Sequence, residues 1–169
     1  MAEETKTHET IQRQYRGALA MLGQAIAQCP EWLWVSAEYQ NAFWHIAYHT
    51  VFYADFYLQA SEAVLPPWPK YRQDSQYLGP REWAPGAKTA IAEPYSKAEV
   101  SEFHALALSH VAQLIPPLDL EAPSGFSWLA FNKLELQFYN IRHIQHHTGQ
   151  LIDRLRTKAD IGIAWVRGL

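Results

Sequence analysis

Prolines partition this chain, because a helix tolerates proline only in its first turn. Six of the ten lie between Val64 and Tyr95 (Pro66, Pro67, Pro69, Pro80, Pro85 and Pro94), Pro30 and Pro116-Pro117 each follow a periodic stretch, and Pro123 sits in a short loop. Four stretches keep a helical period. Ile11, Tyr15, Ala18, Leu19, Leu22 and Ile26 recur at spacings of three and four, which places a first helix at about 7–28. The second, at about 38–63, is apolar nearly all round: Ala42, Ile46, His49, Tyr53, Phe56 and Ala60 form one stripe, and Ala47, Val51, Ala54 and Leu58 line the other side. Ser96-Lys97-Ala98-Glu99 is a capping box for a third helix at 96–115, with Tyr95 and Val100 placed for a hydrophobic staple. The fourth covers about 130–157. No strand period, internal repeat or low-complexity tract interrupts them. The fold class is therefore all-α, a four-helix bundle forming one domain over 1–169. The segment 64–95 becomes one long crossover, with Trp68, Tyr71, Tyr77 and Trp83 packing down on the bundle.

Charge and cysteine content narrow the function classes. Fourteen Lys+Arg against 17 Asp+Glu give a net charge of −3 with both signs scattered, which argues against a nucleic-acid surface. No run approaches the eighteen or so apolar residues of a membrane span. The single cysteine, Cys29, cannot close an intrachain disulfide, and the opening MAEETKTHET is polar and acidic where a signal peptide would be basic and then apolar, so a cytoplasmic setting is expected. There is no phosphate-cradling Gly-rich loop, nucleophile elbow or Cys-x-x-Cys. Helix 2, with two apolar faces, needs a second partner surface, and its outer stripe predicts a homodimer.

The chemistry lies in the histidines. His143 and His147 are four apart, as are His45 and His49 about ninety residues upstream, and four-residue spacing stacks two imidazoles on one helical face. On a helical wheel, Leu134, Phe138, Ile141, Thr148, Leu151, Ile152 and Leu155 form the core arc of helix 4, with His143 and His147 at its edge. His146 points away with Glu135 and Asp153. His49 lies in the apolar stripe of helix 2 and is expected to be the buried histidine there, with His45 about 40° off it. Two accounts fit this pattern. Each histidine is a hydrogen-bonded core residue, or His49, His143 and His147 converge on one divalent metal with an open position for water or substrate. Asn140 and Gln150 are candidates to orient the rings, and Asp55 and Glu38 read as solvated or capping carboxylates.

The segments FWHIAYHTVFYADFYL and His143-x-x-x-His147-x-Gly149-Gln150 resemble those of the DinB-like (YfiT-like) metalloenzyme family. The resemblance implies an up-down-down-up bundle whose helices 2 and 3 are parallel, which explains the long crossover. It also implies a triad of His49, His143 and His147 holding nickel or zinc, although Thr148 stands where many relatives have arginine. The function implied is activation of water or a low-molecular-weight thiol toward a small-molecule substrate, as a hydrolase or a thiol S-transferase. The alternative is a non-catalytic bundle that binds a metal, a ligand or a partner, and a fourth ligand from His45 would favour it.

Overall fold

The computed structural model describes residues 2–80 and 93–167, and among them it is all helical. The elements are α1 (Ala2–Gln28), α2 (Glu31–Trp34), α3 (Phe43–Phe56), α4 (Lys97–Leu114) and α5 (Lys133–Ala159). Paired side chains give the helix directions. Tyr48 meets Phe103 and Asp55 meets His110, so α3 and α4 run parallel. His49 meets His147 while Lys133 reaches the carbonyl of Gln59, so α3 and α5 are antiparallel. Gln12 pairs with Val111 and His104 with Leu19, so α1 and α4 are antiparallel as well. The order is up-down-down-up, with α1 and α3 facing each other diagonally and each packed on both α4 and α5.

Local chemistry sets the ends. At Ser96 the capping box is complete: its Oγ accepts from the Glu99 amide at 3.2 Å, and its own amide donates to Glu99 Oε2 at 2.8 Å. Asn132 caps α5 through the Glu135 amide at 3.0 Å. The second long helix is shorter than the 38–63 read from the sequence. At its start, Arg154 donates to the Asn41 carbonyl at 2.8 Å and lies over the Tyr39 ring, while Lys158 pairs with Glu38, so this segment is tied to α5 before the helix opens. At its other end the chain leaves the helix after Phe56, and buried Lys133 donates to the carbonyls of Gln59 and Ala60, both at 3.0 Å. Gly125, at φ 85°, passes so close that a Cβ there would stand 2.4 Å from the Ala60 oxygen, which excludes other residues.

The outer stripe of α3 has its partners within one chain. Ala47, Val51, Ala54 and Leu58 are all buried, so the apolar face that predicted a homodimer is covered without a second copy. The crossover explains why α3 is apolar all round. Trp68 packs beside Tyr48, Tyr71 stacks on Phe52, and the carbonyls of Ser75 and Gln76 meet His45 and His49, so α3 is enclosed on a side that a bare bundle leaves open. Ahead of α3, Trp32 is exposed while Leu33 and Trp34 plug the core, with the Trp34 indole donating to the Tyr95 carbonyl at 2.9 Å. One further expectation is corrected. Phe138, placed in the core arc of the last helix, is 62% exposed. Gln137 and Asn140 take the inward positions, where Gln137 accepts from Tyr15 Oη at 2.8 Å and Asn140 donates to the Ala54 carbonyl at 2.9 Å.

Candidate metal centre

His49 from α3 and His143 and His147 from α5 meet between the two antiparallel helices. The Nε2 of His49 lies 3.1 Å from the Nε2 of both His143 and His147, and the potential ligand atoms of the three rings all fall within 4.8 Å of one another. Hydrogen bonds assign the protons on two of the rings. His49 Nδ1–H donates to the Gln76 carbonyl at 2.6 Å, and His147 Nδ1–H donates to Gln150 Oε1 at 2.8 Å. A neutral imidazole carries one N–H, so both Nε2 atoms are bare lone pairs pointed at each other. That contact is unfavourable unless a cation stands between them. Two nitrogens each about 2.0–2.1 Å from one tetrahedral ion are about 3.3 Å apart, close to the spacing seen here. The group could hold a metal ion.

Electrostatics keep the rings neutral. Burial, followed by the like charges His143 and His147 would carry, holds His49 well below its ordinary value. His143 is driven down to about 3, first by burial and then by His147. Burial lowers His147 as well, against the hydrogen bond it donates to Gln150. Metal binding then displaces no proton at neutral pH.

The other histidines lie outside the triad. His146 is exposed, as its wheel position implied, although its ring sits edge to face on His147 at 4.8 Å between centroids and it meets Gln150. His45, not His49, is the fully buried ring on α3: it is 5% exposed, stacks on Trp44, and donates from Nε2 to the Ser75 carbonyl at 2.9 Å. It is therefore engaged elsewhere and supplies no fourth ligand. Of the two candidates for orienting the rings, Gln150 does so and Asn140 instead binds the α3 backbone. Of the two carboxylates, only Asp55 differs from expectation. Asp55 is buried and accepts from His110 Nδ1 at 2.6 Å, a link between α3 and α4, while Glu38 is exposed beside Lys158. Burial pushes the Cys29 thiol up to about 12, so it is no nucleophile.

A cleft of about 770 Å³ opens beside His49 and His143, with Tyr53, Tyr57, Trp128 and Tyr139 among its walls. The crossover contributes Leu65, Gln76 and Tyr77 to it. Its other aromatics have different roles: Trp68 is buried flat against Phe103, with ring centroids 4.6 Å apart, Tyr71 touches Gln76, and Trp83 lies outside the described residues. Trp165 of the tail is 71% exposed and lies by Gly17 and Met21 of α1, among other residues than those of the cleft. The Gln76 contribution could not be read from sequence, since a backbone carbonyl carries no side-chain signature. Tyr57, Tyr139 and Trp128 share one legible signal, aromatic type near the histidines or in a loop, which many core residues share too.

A bundle of four long helices with three neutral imidazoles converging beside an aromatic cleft is a helical-bundle protein with a candidate metal centre. The family model of the DinB superfamily matches residues 14–151, a span that includes all three histidines, and the chain belongs to that superfamily. No curated protein and no solved structure matches it. No helix among the described residues is long and apolar enough to cross a membrane.

Proposed function

We propose that this chain is a metal-dependent enzyme in which His49, His143 and His147 hold one divalent ion, nickel or zinc, next to a cleft that admits a small-molecule substrate. One observation carries the proposal: the bare Nε2 atoms of His49 and His147 face each other at 3.1 Å beside an aromatic cleft. When bound, the ion acidifies water or a low-molecular-weight thiol and so supplies a nucleophile at neutral pH, which makes the protein a hydrolase or a thiol S-transferase. The chain's own groups hold and shield the site. The Gln76 carbonyl and the Gln150 side chain fix two ring orientations, and Tyr53, edge to face with His143 and tilted against His49, helps exclude water from that side. A cytoplasmic setting belongs to the same proposal and rests on the lone, buried, free Cys29. A non-catalytic binding bundle would be favoured by a fourth protein ligand, and His45, the candidate for it, is bonded to Ser75.

The test is metal analysis of protein purified without a polyhistidine tag. About one equivalent of divalent metal is expected in the wild type and in His146→Ala, and His49→Ala, His143→Ala and His147→Ala should each lose stoichiometric binding. Loss of metal in His146→Ala with retention in His143→Ala would sink the assignment.

A further inference from the structure

The cleft beside the imidazoles has a chemical character of its own. Its walls are aromatic, and Leu65 and Trp128, both exposed to solvent, stand among them as unsatisfied apolar surface. Among the described residues, no lysine or arginine lines it. The one carboxylate there, Glu62, already accepts from the Ser127 amide at 3.1 Å and the Ser127 hydroxyl at 3.0 Å through the same Oε2. Its size is that of a site enclosing a ligand of one or two rings or somewhat more.

We propose that this cleft binds a small uncharged molecule with a flat aromatic body, its polar end directed toward His49 and His143. The argument is one of charge and desolvation. An anionic body would leave water for walls that offer no counter-ion, and a cationic one for walls whose single carboxylate, Glu62, is already engaged by Ser127. An uncharged ring loses little on leaving water and gains edge and face contacts with Tyr57, Tyr139 and Trp128. The tyrosine hydroxyls in these walls can donate to an ether, ester or carbonyl oxygen. This inference rests on the proposed metal centre only for the direction in which the polar end points.

Three probes sharing one ring system test it: 2-naphthol, 2-naphthoate and 2-naphthylmethylammonium, titrated by calorimetry at pH 7 into the metal-free full-length protein and again after zinc addition. In the metal-free protein 2-naphthol should bind at least tenfold more tightly than either charged probe. Trp128→Ala should weaken that binding about tenfold at unchanged melting temperature, and Trp128→Phe should restore most of it. Equal or tighter binding of naphthoate or of the ammonium probe, no binding by any probe, or indifference to Trp128→Ala would each overturn the proposal. Zinc uptake in the same samples is read separately. Protein that prefers 2-naphthol but takes up no zinc would refute the metal centre and leave the cleft assignment standing.

Discussion

His45 and His49 are one helical turn apart on α3, and they hold consecutive carbonyls of the crossover, those of Ser75 and Gln76. Only His49 turns its second nitrogen toward α5. The pair works as a clamp, with His45 holding the strap that keeps the acceptor of His49 in place. His45→Ala should therefore keep metal stoichiometry, weaken metal affinity by about tenfold, and make the crossover easier to cleave in limited proteolysis. Unchanged affinity with unchanged protease resistance would show that Gln76 is held by other contacts. Gln150→Ala removes the acceptor of His147 Nδ1 and should likewise cost about tenfold in affinity, much less than His147→Ala, when both are measured by competition with a chromogenic chelator. The three histidines were legible in the sequence because four-residue spacing is a geometric constraint that composition cannot blur. The cover over His45 is not legible on a wheel, because the wheel sees only the helix and His45 is covered by a segment thirty residues away.

At the level of elements, the lesson of α3 is that an apolar circumference can be satisfied by a crossover as well as by a second subunit. Val51 has no exposed surface within one chain, so Val51→Glu buries an unpaired charge and should cost about 4 kcal/mol or more. Chemical denaturation should show a destabilised or unfolded protein, and a folded, soluble variant of native stability would contradict the packing described. Lys133 tests the other end of the same helix. Among the described residues it is a buried cation without a carboxylate partner, bonded instead to the Gln59 and Ala60 carbonyls where the dipole of α3 is negative. Lys133→Met leaves those carbonyls without a donor and should lower unfolding free energy by roughly 1–3 kcal/mol. Proline, capping and periodicity made α4 readable almost to the residue. They could not foretell that Arg154 and Lys158, far along the chain, would hold residues 38–41 out of α3, or that Gln137 and Asn140 would displace Phe138 from the core, since buried polar pairs invert the hydrophobic signal.

Taken as a whole, the molecule keeps several imidazoles neutral by enclosing them, and this sets its response to acid. Burial lowers His45, His104 and His143, the last to about 3, whereas an unfolded chain titrates them near about 6.5. Above that value both states are neutral and these groups contribute no pH dependence. As pH falls below it, the unfolded chain gains protons that the native rings refuse, so stability declines until the depressed native values are reached. The melting temperature of metal-free protein should stay level from pH 8 to 7 and fall from pH 6.5 to 5, and a rise over the acid interval would show that the rings are not held neutral. The bundle order has a further effect in time. The histidines that meet between α3 and α5 are 94 and 98 positions apart, and α1 packs chiefly on the two helices made last. At ribosomal rates of about 5–20 residues per second, His49 waits roughly 5–20 s for its partners to emerge. A nascent chain thus exposes only fragments of the site, and high-affinity metal capture becomes a late event, open only to a chain that has nearly finished folding.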